Sequence, residues 1–170
     1  MITKPQAGEY AHFYSTYINL VNTDNIISLL DDLKDSTFTF FNSLPANKAS
    51  YAYAEGKWTI KQLLGHLIDA ERVFAFRLLC FSRGDQNNLP GFDENDYVDN
   101  GGFNNRTLTN LAEEFKTVRT GNIYMLKGLS DEQSTLVGTA NNYPISVRAL
   151  AYIMAGHELH HLRIIKERYL

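Results

Sequence analysis

Helical periodicity constrains this 170-residue chain more than any other feature. Apolar residues recur at three- and four-residue steps over four long stretches, which predicts four amphipathic helices. The first spans roughly residues 26–44. Asn22, Thr23 and Asp24 offer caps before it, and Leu44-Pro45 ends it, because a residue before proline avoids the helical region. The second, from Ile60 to about Ser82, has the clearest start. Thr59-Ile-Lys-Gln62 fits a capping box, in which hydroxyl and amide side chains each satisfy a backbone N–H at the helix start. The third begins at Thr107 or Thr109 and ends near Leu126. The fourth follows Pro144, with Ser146 as its N-cap, and continues nearly to Leu170. Only Tyr51-Ala-Tyr-Ala54 and Thr135-Leu-Val137 have strand character, and both are short. The expected fold is all-α, a four-helix bundle in a single domain over residues 1–170. Residues 84–106, rich in Gly, Asn and Asp, are expected to form one long loop of the kind that carries function.

Composition narrows the partners. Sixteen Lys+Arg stand against 19 Asp+Glu, with a pI near 5.9 and no basic cluster, which argues against nucleic-acid binding. No apolar run approaches the ~18 residues of a membrane span, and the N-terminal stretch lacks the apolar core of a secretory signal, so a cytoplasmic protein is expected. Cys80 is the only cysteine and is expected to be a small buried hydrophobe.

The chemistry concentrates in histidines. Of five, three lie within five residues: His157, His160 and His161. At ~100° per residue, His161 lies ~40° from His157, and both fall on the stripe of Leu150, Met154 and Ile164. His160 sits nearer the edge. Imidazoles four residues apart on a helix can reach one metal ion. His66 shares the inward face of the second helix with Leu63, Ala70, Val73 and Phe74. Three histidines from two helices would leave a metal at least one open position, as catalysis requires. On spacing alone, hydrogen-bonded core histidines remain an equal alternative.

Two other motifs overlap. His157-Glu-Leu-His-His161 satisfies H-E-x-x-H with Glu158 as base, but only nine residues follow to supply a third ligand, and no strand is rich enough to hold a peptide. Glu158-x-x-His161 and Glu9-x-x-His12 fit the pairs of di-iron bundles, yet Glu158 lies ~100° from His157 and Glu9 precedes any predicted helix.

With these residues in view, the chain resembles the DinB-like superfamily of metal-binding bundles (the DinB/YfiT-like type) over most of its length. The carrying segments are Lys57-Trp-Thr-Ile-Lys-Gln-Leu-Leu-Gly-His-Leu-Ile-Asp-Ala-Glu-Arg72, the following Leu89-Pro-Gly-Phe-Asp-Glu94, and the last helix from Ser146 to His161. The resemblance implies a zinc- or nickel-type divalent ion on His66, His157 and His161. Relatives include bacillithiol- and mycothiol-dependent enzymes and proteins described as metal-dependent hydrolases. The Leu-Pro-Gly-Phe-Asp loop is similar to that of the bacillithiol S-transferase-like subgroup, which implies a low-molecular-weight thiol as co-substrate and a small-molecule electrophile as substrate. It also implies a possible homodimer.

A neutral three-histidine cage leaves a metal its full charge, so a bound thiol or water would ionise more readily. Sequence leaves S-transfer, hydrolysis and a non-catalytic metal-binding bundle open. Asp69, one turn from His66, is a candidate to orient that ring. Glu158, Arg148 and Tyr152 are weaker candidates to assist catalysis or face substrate, and Trp58 is expected to anchor packing before the capping box.

Overall fold

The computed structural model describes residues 2–170. Four long helices dominate it: α2 (Ile26–Ser43), α3 (Ile60–Ser82), α5 (Leu108–Lys127) and α7 (Val147–Ile164). Short helices α1 (Ser15–Ile18), α4 (Glu94–Asn100) and α6 (Asp131–Thr135) lie between or before them. Each long helix begins on a side-chain cap: Asn25, Thr59, Thr107 and Ser146 each accept a backbone N–H three residues on. Thr59 and Gln62 form both halves of the capping box. A π-helical turn, Ile165–Tyr169, closes the chain.

The main packing runs from α2 to α5, α5 to α3, α3 to α7 and α7 back to α2. The successive helices α2 and α3 therefore sit diagonally, and both bury their apolar stripes against α5 and α7. α7 is the most enclosed element: every residue from Ala149 to Glu158 is buried. Two glycines permit close approach. A Cβ on Gly65 would lie 2.2 Å from the Phe103 ring, and one on Gly156 would lie 2.1 Å from the carbonyl oxygen of Tyr17. The latter contact seats α1 directly on α7, one residue before His157.

The segment expected as a single loop is more ordered than its composition suggests. Asn88–Leu89 forms β1, which pairs in parallel with β2 (Val137–Ala140); β2 pairs antiparallel with β3 (Tyr143–Ser146). The hairpin turns on Asn141 and Asn142, both at positive φ (51° and 65°), which asparagine tolerates. Asp93 then caps α4, its carboxylate accepting the backbone N–H groups of Asn95 and Asp96. The small sheet is a minor addition to the expected all-α bundle, and Tyr51–Ala54 forms no strand. Cys80 is also corrected: it packs at the core edge but stays partly exposed, with burial and Asp85 raising its thiol pKa. No helix among the described residues is long and apolar enough to cross a membrane.

Candidate metal centre

His66 enters from the first third of α3, and His157 and His161 from adjacent turns of α7. Their ligand atoms lie within 4.8 Å of one another. His157 Nε2 stands 3.0 Å from His66 Nε2 and 3.1 Å from His161 Nε2. Nitrogens bound to one ion at ~2.0–2.1 Å lie ~3.3 Å apart at tetrahedral angles, so the observed spacing needs little adjustment to accept a metal.

The electrostatics agree with the spacing. Burial holds the His66 imidazole down at about 4. His161 is held at about 3 by burial, with His66 and His160 adding to the effect. His157 is kept well below the usual value by burial and then by its histidine neighbours. All three are neutral near pH 7, with lone pairs free of competing protons. Three neutral nitrogens converge with no opposing carboxylate among them, which is a donor set suited to a divalent cation.

Above the triad lies a pocket of about 200 Å³, lined by Tyr14, Tyr17, Trp58, Phe74, Phe92 and Glu94 together with the three histidines. Trp58 stacks at 4.9 Å on His66, and Tyr17 meets His157 edge-on at 5.3 Å. Trp58 is held in turn by Tyr169, whose hydroxyl donates to its carbonyl at 2.8 Å. Trp58 thus lines the site as well as anchoring packing.

The weaker candidates fall elsewhere. Glu158 is fully buried and turned away from the triad into an ion cluster with Arg119 (Nη1 to Oε2, 2.7 Å). It is neither a base over the metal nor an edge residue, because α7 is covered on that side too. Arg148 is paired with Glu9, which Arg148 and then Ser146 hold at a pKa of about 2 despite partial burial. That pairing also removes Glu9 from any site with the exposed His12. Tyr152 is buried, its hydroxyl donating to the carbonyl of Thr23 at 3.2 Å. Asp69 lies beside Arg72, not His66, and His160 packs against Tyr17 outside the triad.

Sequence reasoning missed Tyr14, Tyr17, Phe92 and Glu94 as site residues. Tyr10, Phe13, Tyr14 and Tyr17 already show helical three- and four-residue spacing, a signal of an aromatic face near the N-terminus.

The family model of the DinB superfamily matches residues 29–165. The chain belongs to the DinB superfamily. It is 30% identical over 138 residues to an Oceanobacillus iheyensis protein described provisionally as a metal-dependent hydrolase, covering 74% of this chain and 72% of that one. Among solved structures, it resembles YfiT of Bacillus subtilis, reported with an unusual four-helix bundle topology and provisionally as a metal-dependent hydrolase. That match has a TM-score of 0.69 at 16% identity, over 96% of this chain and 90% of YfiT. It also resembles the mycothiol-dependent maleylpyruvate isomerase, with a TM-score of 0.66 at 11% identity, over 85% of this chain and 61% of that one. At such identities these two likenesses establish the fold: a four-helix bundle of the DinB type.

Proposed function

We propose that this DinB protein is a metal-dependent enzyme that transfers a low-molecular-weight thiol, of the bacillithiol kind, to a small electrophile. The carrying observation is the convergence of three neutral imidazoles beneath an aromatic pocket. His66, His157 and His161 would hold one divalent ion, zinc or nickel, and that ion supplies the Lewis acidity that lowers the pKa of a thiol or water beside it.

The remaining work falls to the protein's own side chains. Because the triad carries no charge, it leaves the cation's charge undiminished. Tyr14, Tyr17, Trp58, Phe74 and Phe92 form a wall that excludes water and holds the apolar part of an electrophile. Glu94, the carboxylate among that pocket's lining residues, would accept the thiol proton as the S–C bond forms and the leaving group departs with its bonding electrons. The same carboxylate favours a second reading, hydrolysis, in which Glu94 takes the proton from water instead. The described relative of Oceanobacillus iheyensis points the same way.

One assay separates the two. Zinc- or nickel-loaded protein is mixed with bacillithiol or cysteine and 1-chloro-2,4-dinitrobenzene, and thioether is followed by absorbance; small esters are assayed in parallel. Metal-dependent thioether formation, lost on chelation, supports transfer. Ester cleavage without thioether formation replaces that reading with hydrolysis.

A further inference from the structure

A second cavity adjoins the triad pocket, and its chemistry is of the opposite kind. It has a volume of about 250 Å³ and lies between α3 and the turn after β1, walled by Val73, Phe76, Leu89, Phe92 and Tyr97 with Arg72 and Arg77. The two arginines differ. Arg72, half exposed, is committed to Glu114 at 2.6 Å and lies 4.0 Å from Asp69. Arg77 is only 3% exposed, and no carboxylate of the described residues lies within ion-pairing distance of it. Its neighbours are neutral: Nη2 donates to the carbonyl of Pro90 at 2.9 Å, and the Tyr14 hydroxyl lies close enough to feel the guanidinium's charge.

A buried guanidinium is always charged and carries five N–H donors. One hydrogen bond to a neutral carbonyl leaves both its charge and most of its donor set unanswered. Burying such a cation without a counter-charge is costly, and a carboxylate entering from the cavity would relieve that cost with a pair of parallel hydrogen bonds. The apolar and aromatic walls suit a ligand with a small apolar body behind its charge.

The two cavities are neighbours. Arg77 is 11 residues beyond His66 on α3, so it lies on nearly the same face of the helix, ~16 Å further along the axis. Phe92 lines both cavities, and Tyr14 lines the triad pocket within reach of the Arg77 charge. The geometry points to an anion subsite: Arg77 receives the carboxylate of a small, partly apolar ligand whose other end is directed toward the triad pocket. The link to the histidines builds on the triad being the reacting site; the subsite itself does not.

Titration calorimetry with benzoate on the metal-free protein tests it, so that no ion can attract the carboxylate. Saturable binding is expected in the wild type. Arg77→Met, which keeps the apolar stem, should weaken it about tenfold to a hundredfold, and the neutral isostere benzamide should bind weaker by a similar factor. Arg77→Lys keeps the charge without the fork, and should fall between the two while circular dichroism shows a folded bundle. If Arg77→Met fails to fold, the benzamide comparison and Arg77→Lys still decide. The subsite is overturned if folded wild type binds no benzoate, if benzamide binds equally, if binding survives the substitutions, or if inorganic phosphate binds more tightly than benzoate. Metal uptake is measured in the same samples. Benzoate binding without metal uptake would sink the metal reading and leave the subsite standing; one ion per chain without benzoate binding would do the reverse.

Discussion

Two buried polar clusters sit side by side, the histidines joining α3 to α7 and an ion cluster joining both to α5, and they solve opposite problems. Glu71, Arg119, Asn122 and Glu158 form a closed set. Arg119 makes two bonds to Glu71, at 2.7 and 2.9 Å, and one to Glu158 at 2.7 Å, while Asn122 donates to Glu71 at 2.8 Å. Only Glu158 Oε1, facing Thr37 without a well-formed hydrogen bond, remains loose. The histidine triad, one residue away along α7, has only its own nitrogens to face. Adjacent residues His157 and Glu158 thus point into different environments, one open to a pocket and one sealed. A sealed cluster fixes the packing of three helices; an open cluster of lone pairs has the chemistry that fits a cation.

Breaking the sealed cluster should have the largest effect. Arg119→Ala strands two buried carboxylates and is expected to cost about 3–5 kcal/mol of stability in urea denaturation. A loss below about 1 kcal/mol would mean the cluster is no keystone. Breaking the open cluster should leave the metal-free fold far less disturbed, because no charge is orphaned. His66→Ala or His161→Ala should instead weaken zinc binding by more than about a hundredfold, read by competition with a chromogenic chelator. Full stoichiometry and unchanged affinity in both variants would show that the ion is held elsewhere.

Acid sharpens the contrast. The triad histidines have folded pKa values far below the ordinary 6.5 of the unfolded chain, His66 at about 4. Below pH 6.5 the unfolded chain therefore takes up protons that the folded chain refuses. Stability of the metal-free protein should be full above pH 6.5 and fall as pH drops toward 4, by up to about 1.4 kcal/mol per unit for each histidine. His161→Ala should flatten that slope; an unchanged slope would assign the acid sensitivity to other groups. The smallest expected effect is Gly156→Ala. The added methyl must displace α1 from α7 at a cost of about 1–3 kcal/mol. It should shift the tryptophan fluorescence of the pocket while one metal ion per chain is retained. Loss of metal binding in a folded Gly156→Ala protein would show that the α1 wall and the triad are a single unit.

The long helices were legible because each combines an apolar stripe with a side-chain cap, as at Thr59 and Ser146. His66, His157 and His161 were legible together because helical spacing alone puts each on an inward face. The small sheet was not, since two- and four-residue strands carry too little alternation to register. α4 was hidden in an Asn/Asp-rich segment, where Asp93 was a cap signal that composition masked. The Glu71–Arg119–Glu158 set joins three helices, and no local pattern reports such a link. One trace existed: Arg119 stands between Phe115 and Ile123 at four-residue steps, a charge in the middle of an apolar stripe.

The seat that Gly156 offers to Tyr17 has a consequence for how this site diversifies. The stretch matched by the family model starts at residue 29, so the histidines lie inside it, while Tyr14 and Tyr17 lie before it. The residues that would grip the ion therefore fall within the family-matched stretch, while part of one wall of the chamber falls outside it. Exchanging the first two dozen residues with those of a relative would reshape that wall while leaving the three histidines in place.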